Sequence, residues 1–301
     1  FCLKKKQKKT QKKAFKFIES KPVFGGAILA FEGNPEKLDI KSISPQLSEY
    51  KIEHQPKSDT VHIWFNDAQN KFDAKATAQL EFSYDTSKKQ DTVRLYYKPV
   101  KDEFKIENKG GNLLVPNQDF KITANLPLQS IDTKDWKLES DSVAVNFKAK
   151  ISEKNPYEIL VSADFKPTKK YALTVIKGSV KSYFEGIVKS YKFEFQADKS
   201  ENYGGFVIKK FVNKPKSKFW VELTNEKGEV LYSKYTNDDS VSFINLKPAV
   251  YIARIKVDDN ENGIWDEADF ANNILAEPIY IYEKTIEVRP LWTIEEDWEI
   301  K

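Results

Sequence analysis

Apolar and polar residues alternate along this chain in short runs separated by turn formers, the period-2 pattern of half-buried strands. Thr60-Val61-His62-Ile63-Trp64-Phe65, Ala78-Gln79-Leu80-Glu81-Phe82 and Val93-Arg94-Leu95-Tyr96-Tyr97 carry it, and Phe24 to Phe31 is apolar throughout. Lys98-Pro99-Val100-Lys101 reads as a linker. A second set follows, in which Val143, Val145 and Phe147 alternate with Ala144, Asn146 and Lys148. Ile159-Leu160-Val161, Tyr171 to Val175 and Tyr191 to Phe195 continue it up to a polar boundary at Asp198 to Asn202. The third set comprises Phe219 to Leu223, a hairpin turn at Asn225-Glu226-Lys227-Gly228, then Val230 to Tyr235, Val241 to Leu246 and Val250 to Val257. Ile279 to Tyr282 and Ile286 to Val288 complete it. No helical period is sustained, and Asp266 to Asn272 has room for one turn at most. Alternation sets one face on a core and the other in water. The expectation is an all-β chain of tandem β-sandwiches with units over 1–98, 99–199 and 200–301.

Composition agrees with that class. A length of 301 residues suits two or three domains. A hydrophobic fraction of 40% with 13% aromatics supplies packed cores, and strand formers dominate. Lys+Arg 49 against Asp+Glu 45 is too balanced to argue for nucleic acid across the molecule. The one cysteine, Cys2, excludes a disulfide within the chain. No apolar run approaches the roughly 20 residues of a bilayer-spanning helix. The chain opens on Phe1, so the native start, with any signal peptide, is expected outside these residues. The lysine tract at residues 4–13 has no interleaved aromatics; it reads as a solvated segment rather than a single-strand or membrane-surface contact.

The strongest chemical signal is Asp258-Asp259-Asn260-Glu261-Asn262-Gly263-Ile264-Trp265-Asp266-Glu267-Ala268-Asp269. Oxygen-bearing side chains stand at loop positions 1, 3, 5, 9 and 12 and glycine at 6, the spacing by which a twelve-residue loop wraps calcium (Ca2+). Asp258, Asp266 and Asp269 would supply charge, Asn260 and Asn262 neutral oxygen, and Ile264 its backbone carbonyl. Position 12 is Asp rather than Glu, and its shorter arm implies a structural site of modest affinity. A strand-like segment, Tyr251 to Val257, precedes the loop where an EF-hand would have a helix. The competing reading is an Asx-rich turn without metal.

Nothing else assembles chemistry. His54 and His62 flank a turn and could approach each other, without zinc-like partners. Glu295-Glu296-Asp297 reads as surface charge. Trp220, Trp292 and Trp298 invite a carbohydrate platform, but Trp292 and Trp298 read better as staples of the C-terminus. The expectation is a protein that is not an enzyme.

Phe243-Ile244-Asn245-Leu246-Lys247-Pro248-Ala249-Val250-Tyr251, the Asp258 to Asp266 run and the ending Arg289-Pro290-Leu291-Trp292-Thr293-Ile294-Glu295-Glu296-Asp297-Trp298-Glu299-Ile300 resemble the C-termini of Bacteroidetes-type surface lipoproteins. These join an S-layer-type bacterial Ig-like domain to a prealbumin-like, collagen-adhesin B-type sandwich. Leu128 to Asp132, Leu138 to Val143 and Lys169 to Ser179 resemble the Ig-like repeat. The resemblance covers about two thirds of the chain and is loose before residue 99. It implies tandem Ig-like and prealbumin-like β-sandwiches, export to the outer membrane or cell surface, and a lipid anchor outside this chain, since Cys2 is not the lipobox cysteine. Ala249 replaces the family's glycine, which implies a type I rather than type II turn. Glu261 replaces another glycine, at a loop position expected to point outward. The partners implied are other outer-membrane or cell-surface proteins; glycans are the alternative, in an accessory module of a degradative system.

Overall fold

The computed structural model describes residues 16–32, 38–54, 59–85, 90–268 and 274–301. The lysine tract, Cys2 and Asp269 lie outside them. Among the described residues the secondary structure is strands and one short 3-10 turn, Ser200–Asn202. The chain is all-β.

The N-terminal strands are β1 Lys16–Val23, β2 Gly26–Glu32, β3 Ile40–Ser44, β4 Tyr50–His54, β5 Thr60–Phe65, β6 Ala78–Asp85 and β7 Gln90–Tyr97. They form two sheets, β1-β2-β5-β4 and β3-β6-β7. Alternation closes them into a sandwich: Leu29, Phe31, Ile63 and Phe65 from one sheet meet Leu80, Phe82, Leu95 and Tyr97 from the other, all buried. Gly26 permits the tightest approach. A Cβ there would lie 2.0 Å from the Ile63 carbonyl oxygen, at φ +154°.

The middle strands are β8 Ile106–Glu107, β9 Leu113–Leu114, β10 Phe120–Ala124, β11 Leu128–Ile131, β12 Lys137–Ser140, β13 Val143–Ala144, β14 Phe147–Ile151, β15 Glu158–Ala163, β16 Lys170–Val175, β17 Val180–Ser182 and β18 Tyr191–Ala197. Sheet β14-β15-β10-β8 faces sheet β13-β12-β16-β18-β9, and β11 pairs with β17. Their core stacks Phe120 on Phe195 with centroids 4.0 Å apart. The run Val143 to Phe147, expected as one alternating strand, is divided. Asp141 and Ser142 adopt positive φ and close the β12–β13 hairpin, after which the chain crosses to the other sheet. Val143 is therefore exposed.

The C-terminal strands are β19 Gly204–Val212, β20 Phe219–Thr224, β21 Val230–Thr236, β22 Val241–Leu246, β23 Ala249–Val257, β24 Ile279–Ile281, β25 Ile286–Val288 and β26 Thr293–Glu299. Sheet β22-β19-β26 packs on β21-β20-β23-β24, with β25 beside the start of β23. The terminal β26 runs parallel to β19. It buries Trp298 against Phe211 and Tyr282, whereas Trp292 is 66% exposed. The stapling expected of both tryptophans belongs to Trp298 alone. Ala249 opens β23 without a positive φ; the nearby left-handed residue is Asn245, within β22.

The first two sandwiches share a contact. On β5 the inward residues are Ile63 and Phe65, so His62 and Trp64 point away from their own core. Trp64 is nonetheless only 5% exposed, because it packs into the middle core. Its indole N–H donates to Glu53 Oε2 at 2.6 Å, and Tyr157 Oη of the second sandwich donates to the same oxygen at 3.2 Å. Truncating a buried tryptophan costs about 3–5 kcal/mol, so Trp64 is a principal tie between the units. Between the second and third, Asn245 Nδ2 donates to the Pro116 carbonyl at 2.9 Å.

Candidate functional site

The loop begins where β23 ends. Its apolar alternation carries Tyr251, Ala253, Ile255 and Val257 into the third core. The next residue, Asp258, is fully buried, and its amide donates to the Lys218 carbonyl. A buried carboxylate must be matched by donors, and three groups supply them. Asp258 Oδ1 accepts the Asn262 N–H at 3.0 Å; Oδ2 accepts the Gly263 N–H at 2.8 Å and Tyr235 Oη at 2.6 Å. Burial of the Tyr235 hydroxyl, together with this bond to a carboxylate, pushes its pKa up to about 12.

The other side chains at alternate positions turn to the same place. Asn260 Oδ1 also accepts the Asn262 N–H, at 2.9 Å. Asp266 Oδ2 receives Asn260 Nδ2 at 2.6 Å and Asn262 Nδ2 at 3.0 Å. Asn262 Oδ1 accepts the Ile264 N–H at 2.7 Å, and the Ile264 side chain faces outward. Loop positions 1, 3, 5 and 9 thus form one hydrogen-bonded cluster. Gly263 turns the chain at φ +80° and Glu261 at φ +53°. Glu261 is exposed, and it holds a left-handed conformation that an L side chain adopts at a cost of about 1–2 kcal/mol.

Reading the sequence missed Glu277. It lies beyond the twelve-residue frame, and no spacing rule points to it. Its carboxylate is almost buried. Oε1 accepts the Asp259 N–H at 2.7 Å and the Asn260 N–H at 3.4 Å, and Oε2 accepts the Asp266 N–H at 2.8 Å. Its amide donates to the Asp266 carbonyl at 3.0 Å and its carbonyl accepts the Trp265 indole N–H at 3.0 Å. Lys256 Nζ caps the Trp265 ring, 4.8 Å from its centre. Glu277 therefore clasps both ends of the loop from the returning chain.

The donor chemistry of this cluster fits a hard cation: every side chain in it offers oxygen, and none offers sulfur or imidazole. Asn260 and Asn262 turn amide nitrogens toward Asp266, so holding a cation requires both amides to rotate and present Oδ1. Among the described residues no group of three or more His, Cys, Asp or Glu side chains is gathered for a metal; two of the four loop positions are amides. The expected sixth contributor, Asp269, lies outside the described residues.

The remaining candidates separate. Register pairs Glu53 with His62 and Val61 with His54, so the two histidines occupy opposite faces of their sheet. His62 stacks edge-on against Trp64 at 4.9 Å. Glu295 to Asp297 lie on β26 at the surface, with Glu296 paired to Lys284. Trp220 stacks on Tyr235 at 4.6 Å.

No family model matches the chain, and no curated protein matches it. Among solved structures it is similar to the MG0-NIE-MG1 segment of Escherichia coli alpha-2-macroglobulin, at 9% identity over 60% of this chain and 76% of that one, with a TM-score of 0.26. It is similar to the N-terminal part of the bacterial S-layer protein SbsC, at 13% identity over 65% of this chain and 44% of that one, with a TM-score of 0.29. The four N-terminal Ig domains of Dscam1 align at 10% identity over 83% of this chain and 71% of that one, with a TM-score of 0.18. Likeness at this level establishes neither a family nor an activity. The all-β assignment rests on the strands themselves.

Proposed function

We propose that this chain is a non-enzymatic scaffold or binding protein of the bacterial cell envelope, built of Ig-like and prealbumin-like sandwiches and braced by a structural calcium loop. The observation that carries the reading is the convergence of Asp258, Asn260, Asn262 and Asp266 on one point, at the head of a long connection between β23 and β24. A cation there would neutralise Asp258 and Asp266 and pin that connection, which is what a rigid display module needs. Ile264 would add its carbonyl and Asp269 its carboxylate. Placement at the outer membrane by a lipid anchor, and partners among other surface proteins, rest on the resemblance of the C-terminal third to surface lipoproteins.

Calorimetric titration of calcium into chelator-treated protein tests the loop. Saturable heat and a melting temperature that rises with calcium are expected, as for any ligand that binds only the folded state. An unchanged melting temperature, with no heat, overturns the metal reading and leaves an Asx-rich turn. The second reading, a glycan-binding accessory module, rests on the exposed indole of Trp292. Silence on a glycan array removes it.

A further inference from the structure

Where the first two sandwiches meet, they enclose a cleft of about 210 Å³. At roughly 30 Å³ per water molecule, it is large enough for a flat head group and part of its stem. Phe24, Trp64, Tyr183 and Phe184 supply aromatic surface, and Asp67 and Glu185 supply two carboxylates. Among the described residues no lysine or arginine lines it.

Both acids are held in place. Asp67 follows β5, in a turn closed by the bond from the Phe72 amide to its carbonyl. Tyr97 Oη fixes Asp67 Oδ1 at 2.6 Å, and Oδ2 has no hydrogen-bond partner among the described residues. Glu185 sits in the turn after β17. Its carbonyl accepts from the Ser182 amide at 2.8 Å and the Ser182 hydroxyl at 3.1 Å. Its carboxylate has neither a hydrogen bond nor an ion pair among the described residues. Burial raises the pKa of both acids, and the charge of Asp67 raises Glu185 further. Two half-buried acids that repel each other, beside aromatic faces and without a counter-cation, are complementary to a delocalised organic cation.

We propose that the cleft between the first and second sandwiches binds a guanidinium group, held by the Asp67 and Glu185 carboxylates and stacked on the aromatic rings beside them. Guanidinium suits it better than ammonium. Its planar head stacks on aromatic faces, sheds water more readily than an ammonium, and offers N–H donors to both acids at once. The site is independent of the calcium loop, which belongs to the third sandwich.

The test uses the whole chain and N-acetyl-arginine amide as probe, followed by NMR at the Trp64 indole and the Glu185 amide. Saturable shifts at both signals are expected, with affinity falling at least about tenfold for the neutral citrulline analogue and for Glu185→Gln. That variant removes a carboxylate no protein group uses, so it should fold; Asp67→Asn, which keeps an oxygen for Tyr97, is the second variant. Equal binding of the citrulline analogue, or affinity unchanged in both variants, overturns the proposal. Binding of N-acetyl-lysine amide as tight as the arginine probe overturns the guanidinium assignment. An arginine-bearing peptide that binds more tightly than the free amide identifies the source as a partner's side chain; equal affinity identifies a small free cation.

Discussion

Replacing Glu277 by glutamine tests whether the loop is built by a residue outside its own motif. The carboxylate takes the Asp259 and Asp266 amides at 2.7 and 2.8 Å, one on each oxygen. Glutamine keeps the shape, but whichever way its amide turns, one of these N–H groups meets an NH2. One charge-assisted bond is lost, at about 1.5–3 kcal/mol, and the survivor becomes a weaker neutral bond. The sum is about 2–4 kcal/mol on the closed loop, or roughly a 30- to 700-fold loss of amide protection at 1.4 kcal/mol per decade. The assay is hydrogen exchange by NMR at the Asp259 and Asp266 amides in calcium-free protein. Because the loop can open as a local unit, amides of β20 and β23 should change far less. A change below about threefold at both amides would refute the argument, since whichever of them loses its carboxylate oxygen has no other acceptor among the described residues.

Two further outcomes are expected. Gly26→Ala should destabilise the first sandwich by more than about 4 kcal/mol, because the new Cβ meets the Ile63 carbonyl and no side chain can yield; Gly25→Ala, which meets the movable end of Leu126, should cost less in the same urea melt. Burial lowers the pKa of His62, Lys21 lowers it further, and Glu53 opposes them without reversing the shift. The unfolded chain therefore takes up this proton first, so stability is intact above the unfolded value near 6.5 and declines as pH falls through it toward the folded value. The urea midpoint should drop between about pH 7.5 and 5.5, and His62→Gln should flatten the drop; an equal slope in the variant would discard the explanation.

Much of the strand framework was legible because alternation is a local property. Thr60 to Phe65 needs only its own pattern to be a strand with Val61, Ile63 and Phe65 facing one way, and β5 has those bounds. The same logic failed at Val143 to Phe147, where the chain leaves a hairpin closed by two left-handed residues and crosses from β13 to the opposite sheet. It passed over β1, whose residues do not alternate cleanly and which is held by pairing with β2 along its length. The loop spacing likewise identified Asp258, Asn260, Asn262 and Asp266 as one cluster, since a tight turn brings alternate positions together.

What the sequence by itself determined is the class of the chain and the composition of its loop, because strand period and turn chemistry act over a few residues. Only the tertiary structure decided that Glu277 clasps the loop, that Trp64 leaves its own core to fill a neighbour's, and that Asp67 and Glu185 share a cleft. Those outcomes depend on which faces meet across 19, 93 or 118 positions of chain (277 − 258, 157 − 64 and 185 − 67). A side chain on the outer face of a strand is solvated or buried according to what a distant segment lays over it, and the strand's own pattern carries no record of that.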